Sequence, residues 1–306
     1  MSAVPTVTAD QHATHAGLEA RLARFPALQI GLASQRAVSY REAAYADSDS
    51  NCNGTALPLV LLHGIGSGAA SWVQQFEVLG ATRRVLAWDA PGYGASTPVA
   101  VESPNAMDYA TVLNEWLDAL GIERCVLVGH SLGAIVAGAC AVAYPQRVAG
   151  LLLLSPAGGY GAASADVRDT KRDQRLAMLT ELGPQGLAEK RSANMVSALA
   201  NDEARAWVRW NMSRVIPHGY AQATHLLANA DLAADLARYT GRINVAVGAD
   251  DTITPPAACE RLALAARTPL QVVPHAGHAG YIEAPAATTA IIDTFCRASD
   301  GQRSPE

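Results

Sequence analysis

The sequence has little of several features that mark particular protein classes. Its five cysteines are scattered, odd in number and without a Cys-x-x-Cys pair, so they predict neither a disulfide framework nor a zinc site, and they fit a reducing cytoplasm best. The 23 basic residues are outnumbered by 28 acidic ones, for a net charge of −5, which argues against a nucleic-acid-binding surface. No run of 18 apolar residues predicts a transmembrane helix, and the N-terminal residues lack a secretory-signal pattern.

The chain contains many apolar residues, and they occur in short, regularly spaced runs. Half of its 306 residues are hydrophobic, which is enough to build the core of one large domain. Several runs are continuously apolar, as in central strands covered on both faces, and they alternate with helical patterns over 106–120, 132–143 and 284–297. This alternation predicts an α/β fold with a mostly parallel sheet. The predicted strands are 37–41, 57–62, 84–88, 124–128, 151–155, 243–248 and 270–273.

One long interval interrupts this spacing. The segment 158–242 separates two predicted strands and is helical in pattern, so we expect a helical insertion, called the cap below, on a core formed by 1–157 and 243–306. We also expect a short helix within 1–25. That end of the chain, the loop 47–56 and the tail 298–306 are expected to be solvated and mobile.

A glycine-rich loop, HGIGSGA (63–69), directly follows a predicted strand and has two interpretations. Gly64, Gly66 and Ala69 match the Gly-x-Gly-x-x-Ala pattern of a dinucleotide-binding loop, and Asp89 closes the next predicted strand at the expected distance. The second interpretation is an oxyanion loop, in which a His-Gly pair commonly comes first. It is favoured because the loop opens with that pair and because a tight Pro-Gly-Tyr-Gly turn, poorly suited to a ribose, follows the aspartate.

The most informative segment is Gly129-His130-Ser131-Leu132-Gly133, which follows a buried predicted strand and precedes a helix of small residues. Gly-x-Ser-x-Gly is typical of a nucleophile elbow, a strained strand-to-helix turn that projects the serine hydroxyl above a sheet. The two glycines allow the backbones to approach closely. The following helix directs its N-terminus at the site, which favours developing negative charge. The segment therefore predicts a nucleophilic Ser131.

A serine hydroxyl becomes a useful nucleophile only when a histidine, oriented by a carboxylate, takes its proton. The expected chain order in such a sheet is serine, acid, histidine. Asp250 and Asp251 follow one late predicted strand, and His275 and His278 follow the next. The residues alone leave both choices open. A metal site at the two histidines is disfavoured because no third ligand cluster accompanies them.

Four motifs, taken together, resemble the α/β-hydrolase fold, and in particular its cap-bearing branch of esterases, lactonases and carbon–carbon hydrolases. The resemblance covers roughly residues 37–297. It implies a mostly parallel central sheet flanked by helices, with a helical cap over the pocket. The motifs are HGIGSG (63–68), DAPGYGAS (89–96), GHSLG (129–133), and GADDTITP (248–255) paired with GHAGYIEAP (277–285).

The resemblance also implies roles for single residues. The family's acid lies three residues after a strand-end glycine, which selects Asp251, and its histidine follows a glycine and precedes Glu-x-Pro, which selects His278. The oxyanion donors implied are the backbone N–H groups of Ile65 and Leu132. Serine at position 131 disfavours the haloalkane dehalogenase and epoxide hydrolase relatives, because those enzymes attack with a carboxylate.

The function that this resemblance implies is cofactor-independent hydrolysis of a small carboxylic ester or lactone through an acyl-enzyme. We expect no metal, no nucleic acid and no membrane partner, and the oligomeric state stays open, with a homodimer as one option. Hydrolytic carbon–carbon cleavage of an aromatic ring-fission product is the first alternative. Arg191 would then hold a carboxylate, although Ala279 stands where many such enzymes have an aromatic residue. A non-catalytic ligand receptor is the second alternative.

Four residues are candidates for substrate binding. They are Arg191, Trp207 and Trp210 in the cap and Tyr281 after the histidine motif. Aromatic residues of this kind are also common in the packed core of a helical unit, and Arg191 is equally suited to an exposed helix surface.

Overall fold

The computed structural model describes residues 17–43 and 56–301. The expectations for the rest of the N-terminal segment, for most of the loop 47–56 and for the end of the C-terminal tail lie outside the described residues. Residues 298–300 of that predicted tail belong to the last helix. The expected short helix near the N-terminus is present over 17–23 and is named α1.

An eight-stranded sheet forms the centre of the molecule, in the spatial order β1-β2-β4-β3-β5-β6-β7-β8. Among the strands of the described residues, only the pairs β1–β2 and β2–β4 are antiparallel, so the predicted mostly parallel sheet is confirmed. Strand β1 was not predicted, because it is a short, mostly exposed edge strand without an apolar run. The strands are β1 (Leu28–Gly31), β2 (Ala37–Ala43), β3 (Leu59–Leu62), β4 (Val85–Trp88), β5 (Cys125–His130), β6 (Val148–Leu154), β7 (Ile243–Gly248) and β8 (Leu270–Val273).

Helices cover both faces of this sheet, because its central strands are apolar on both sides. In β3, Val60 and Leu62 point into one hydrophobic core, whereas Leu59 and Leu61 point into the other. None of the described helices is both long and apolar enough to cross a lipid bilayer. After α1 the helices are α2 (Val73–Leu79), α3 (Ala106–Ala119), α4 (Leu132–Ala143), α5 (Ala165–Arg191), α6 (Asp202–Met212), α7 (Pro217–Asn229), α8 (Leu232–Arg238), α9 (Pro256–Ala265), α10 (Gly280–Glu283) and α11 (Pro285–Asp300).

The interval between β6 and β7 holds helices α5 to α8, in agreement with the helical pattern of its sequence. Helix α5 is kinked at Gly183, whose φ of 61° and ψ of 179° lie outside the helical region. Pro184 causes this break, because it lacks an N–H and disfavours helical geometry at the residue before it. Helix α8 packs directly on α4, where a Cβ at Gly138 would lie 2.5 Å from Leu232. The limits of the cap at 158 and 242 stay a prediction.

Candidate active site

Ser131 lies in a strained turn between β5 and α4. Its φ of 53° and ψ of −114° are rare for a residue with a side chain, and such a conformation costs about 1–3 kcal/mol. The flanking glycines make the turn possible. A Cβ at Gly129 would lie 2.5 Å from the Gly133 carbonyl oxygen, and a Cβ at Gly133 would collide with the Leu62 carbonyl. The packing around the turn therefore fixes Ser131 at the N-terminus of α4.

His278 and Asp251 form a buried pair at the carboxyl edge of the sheet. His278 Nδ1 lies 2.9 Å from Asp251 Oδ2, and the two residues are 1% and 2% exposed. Burial by itself raises the pKa of Asp251. The hydrogen bond and charge of His278, together with donors from Thr254, outweigh that effect and lower the pKa to about 2. An ionised carboxylate can only accept, so we assign the proton to Nδ1, which leaves Nε2 free to accept one.

The adjacent candidates occupy different surroundings. Asp250 and His275 are exposed, whereas Asp251 and His278 are buried together. Among the described residues, no group of three or more His, Cys, Asp or Glu side chains could hold a metal ion.

Thr254 is a member of this cluster that sequence reasoning did not single out. Its hydroxyl lies 2.8 Å from Asp251 Oδ2 and 3.1 Å from His278 Nδ1. Its backbone N–H donates to Asp251 Oδ1 at 2.9 Å, as does that of Ile253 at 2.8 Å. An aspartate followed closely by a threonine is a pattern that could have indicated such a turn. These bonds fix the carboxylate in the orientation that faces the imidazole.

A cavity of about 680 Å³ brings together the predicted nucleophile, the predicted base and the predicted oxyanion donors. Ser131, His278, Ile65 and Leu132 all line it. Within the described part of the chain, the Ser131 hydroxyl makes no direct hydrogen bond to His278 in this conformation. Catalytic hydrogen bonds often form fully only in the substrate complex. Ser131 and His278 therefore share one cavity here without a direct hydrogen bond between them.

The backbone N–H groups of Ile65 and Leu132 are available to a ligand in this cavity. Leu132 is the first residue of α4, and such an N–H has no partner within its own helix. Neither N–H donates to another described residue. The Ile65 carbonyl accepts a hydrogen bond of 2.8 Å from the Tyr93 hydroxyl, which holds the loop in place. Two unpaired donors at one cavity are suited to an oxyanion.

Hydrogen bonds to neighbouring segments hold the glycine-rich loop in place. His63 Nε2 accepts from the Ala90 N–H at 3.0 Å, and burial lowers the pKa of His63, which keeps the ring neutral. Asp89 accepts from the Ala69 N–H at 2.8 Å and from the Ser39 hydroxyl at 2.6 Å. Because the Asp89 carboxylate is already bonded within the protein, the structure disfavours the dinucleotide interpretation.

His130 supports the histidine loop from beneath. Its Nε2 lies 2.8 Å from the His278 carbonyl oxygen, and the two rings are 4.8 Å apart. Its Nδ1 is buried without a partner among the described residues. Burial, reinforced by the neighbouring His278, lowers the pKa of His130 to about 3. The ring is therefore neutral and donates through Nε2.

Two of the predicted substrate-binding residues do not reach the cavity. Trp207 is buried in one of the hydrophobic cores and stacks on Trp210 at 4.9 Å between ring centroids. The face of α6 that meets the cavity instead carries Val208 and Met212. Successive residues of a helix point in directions about 100° apart, so neighbours in sequence can serve different surfaces. The positions of the two tryptophans do not support a role in substrate binding.

The other two predicted residues, Arg191 and Tyr281, do line the cavity. Tyr281 stacks on Trp72 at 4.2 Å, and its hydroxyl lies 3.3 Å from that of Ser67. Arg175 also lines the cavity, although no pattern in the sequence distinguishes it from the other arginines of α5. The cavity thus combines a candidate nucleophile with two arginines of α5.

Comparison with known proteins is consistent with this geometry. The model of the alpha/beta hydrolase family matches residues 59–291. A relative from Variovorax paradoxus that bears the name carbamate hydrolase RutD is 32% identical over 257 residues, which is 79% of this chain and 92% of that protein.

Two solved structures show the same fold. A thermophilic esterase from Thermogutta terrifontis, with malate bound, has a TM-score of 0.77 at 24% identity, and the match covers 90% of this chain and 99% of that one. An enol-lactonase from Burkholderia xenovorans has a TM-score of 0.73 at 22% identity, and that match covers 88% and 100%. At these identities the likeness concerns the fold alone.

Proposed function

The chain belongs to the α/β-hydrolase family, and on that premise we propose that it is a serine hydrolase that cleaves a small carboxylic ester or lactone through an acyl-enzyme. The observation that carries the proposal is the buried His278–Asp251 pair. The histidine of this pair lines the same cavity as Ser131. The names of the relatives, an esterase, an enol-lactonase and a carbamate hydrolase, lend support because each describes hydrolysis next to a carbonyl carbon.

In the acylation step, Ser131 Oγ attacks the ester carbonyl carbon while its proton passes to Nε2 of His278. The Asp251 carboxylate stabilises the imidazolium that forms. The carbonyl oxygen becomes an oxyanion and accepts hydrogen bonds from the N–H groups of Ile65 and Leu132. When the tetrahedral intermediate collapses, the bond to the alkoxy oxygen breaks, and that oxygen takes the proton from His278.

In the deacylation step, a water molecule repeats the attack. His278 accepts the proton of the water as its oxygen bonds to the acyl carbon, and the bond to Ser131 Oγ then breaks. The serine takes back a proton, and the carboxylic acid is released. The balance of the cycle is one ester and one water converted into one acid and one alcohol, without an oxidant or reductant.

The chain offers matched pairs of variants that test these roles. With p-nitrophenyl acetate and butyrate as substrates, Ser131→Ala should lower kcat by about 1000-fold or more. Asp251→Asn and His278→Gln should each lower kcat by about 100-fold or more, whereas the exposed neighbours Asp250→Asn and His275→Gln should stay within about twofold of wild type. Full turnover by the alanine variant, or equal losses within a pair, would contradict the assignment.

Carbon–carbon hydrolysis of a ring-fission product is a second candidate, favoured by one observation. Arg191, the residue that this activity would use for a substrate carboxylate, lines the cavity. The decay of the absorbance of a dienol ring-fission product, measured beside p-nitrophenol release, separates the two activities. Ester turnover without dienol decay is the expected result.

A further inference from the structure

Two arginines of the cap meet in the cavity from opposite parts of one helix. Arg175 and Arg191 both lie on α5, sixteen residues apart, and both line the cavity with Ser131. An unbroken helix would separate them by about 24 Å along its axis. The kink at Gly183 lies between them, and it allows both side chains to reach one cavity of about 680 Å³.

Neither arginine has a carboxylate partner in the part of the chain that the structure describes. Arg175 donates to the neutral Tyr220 hydroxyl at 3.2 Å. By contrast, Arg172 on the same helix pairs with Asp169 at 2.9 Å and with Asp173 at 2.7 Å. Arg172 therefore has acidic partners, whereas the two arginines of α5 that line the cavity have none among the described residues.

The surroundings of the pair favour an anion between them. Both side chains are half-buried, and burial together with the charge of Arg175 lowers the pKa of Arg191. Guanidinium groups nevertheless remain charged at neutral pH, so two like charges face the same cavity from partly buried positions. A bound anion would relieve that repulsion. The Tyr220 hydroxyl, which accepts from Arg175, keeps its own proton for donation.

Two other charged residues of the cavity, Asp231 and Arg261, are bonded to backbone groups near them in sequence. Asp231 is the acidic residue on the wall, and it is engaged at the start of α8, where it accepts from the Ala234 N–H at 3.1 Å. Arg261 also lies on the wall and donates to the Ala257 carbonyl at 3.1 Å.

We propose that Arg175 and Arg191 bind a free carboxylate of the substrate, so that the ester or lactone cleaved at Ser131 is part of a molecule that is itself an acid. Half-esters of dicarboxylic acids and lactones with a carboxylate side chain are the class concerned. The guanidinium fork matches the two oxygens of a carboxylate, and the Arg191 fork donates to no other residue within 17–43 and 56–301. This inference rests on the proposed function.

The test compares two substrates that differ only in the charged group, monomethyl glutarate and dimethyl glutarate, by pH-stat titration. For the wild-type protein, kcat/KM should be higher with the half-ester than with the diester. Arg175→Gln and Arg191→Gln should each lower kcat/KM for the half-ester by about 10-fold or more, with the diester changed less than about twofold. The control Arg172→Gln, on the same helix but outside the cavity lining, should alter neither. Equal losses on both substrates, or none, would overturn the inference.

Two further measurements separate failure of this inference from failure of the proposed function. Turnover that persists in Ser131→Ala contradicts the function, whereas turnover that is lost there but shows no charge dependence in the arginine variants contradicts only the carboxylate site. Binding of a carboxylate to the two arginines can also be measured in a variant that does not turn over substrate. Succinate, glutarate or adipate should raise the Tm of Ser131→Ala, and should not raise it when both arginines are glutamine. No shift with any of the three acids would also overturn the inference.

Discussion

The buried imidazole of His130 should make the stability of the protein sensitive to mild acid. The pKa of His130 is about 3 in the folded state, because of burial first and of His278 second, against about 6.5 in an unfolded chain. Between these values the unfolded chain binds a proton that the native state does not. The contribution of His130 to stability is therefore complete above about pH 6.5 and is lost as the pH falls towards 3.

The size of the effect follows from proton linkage. For these two pKa values, the free energy of unfolding should fall by about 3 kcal/mol between about pH 8 and pH 4.5 on account of His130 alone. Asp251 does not contribute in that range, since its pKa of about 2 moves its own loss of stability below about pH 3.8. His63 titrates in the same sense as His130, because burial lowers its pKa as well.

Urea unfolding of wild type and His130→Gln at several pH values measures this contribution. The substitution changes stability at every pH through the lost contact with the His278 carbonyl, but that offset cancels when the change with pH is compared. The variant should retain the His63 contribution. Its free energy of unfolding should fall by about 3 kcal/mol less than that of wild type between about pH 8 and pH 4.5. Parallel pH profiles for the two proteins would refute the reasoning.

Two further predictions concern the loops that carry the site. Tyr93→Phe removes the hydroxyl that donates to the Ile65 carbonyl, and it should lower stability by about 1–3 kcal/mol and kcat by about 10-fold. Tyr109→Phe is the control for both readouts, because the Tyr109 hydroxyl is buried without a partner among the described residues. If the two variants had equal effects on thermal unfolding and on ester turnover, the prediction would be contradicted. Glu283→Gln leaves one acceptor oxygen for two backbone N–H donors. It should lower the free energy of unfolding by about 1–3 kcal/mol and should also lower kcat. The control Glu260→Gln, at an exposed position, should change neither. A Glu283→Gln protein with wild-type melting temperature and turnover would count against that role.

The sequence predicts best those features that depend on neighbouring residues. The continuous apolar runs of β3 to β6 lie at the centre of the sheet as expected, and Ser131 occupies a strained turn between a strand and a helix. The choice of Asp251 over Asp250 needed the family resemblance, because the two residues share a strand end and only tertiary structure decides which one is buried.

Features that depend on the direction of a helix could not be predicted from the same patterns. Trp207 and Val208 are adjacent on α6 and are buried in the same hydrophobic core, yet Val208 also lines the cavity and Trp207 does not. Arg175 differs from Arg172 only in the face of α5 on which it lies, and the sequence does not specify how that face is oriented in the folded chain. The kink at Gly183 is encoded by the proline that follows it, but its consequence for the cavity depends on how the cap packs.

The histidine loop and the cap are joined by hydrogen bonds as well as by the cavity. The Ala279 N–H donates to the Met195 carbonyl at 2.7 Å, and the Ser197 N–H donates to Glu283 at 2.8 Å. Glu283 also accepts from the N–H of Gly277, next to His278. A displacement of the cap segment that carries Met195 and Ser197 would therefore pull on the loop that positions the imidazole. The cap supplies arginines to the cavity and also holds the loop of the proposed base, so substitutions in that segment should alter kcat as well as substrate preference.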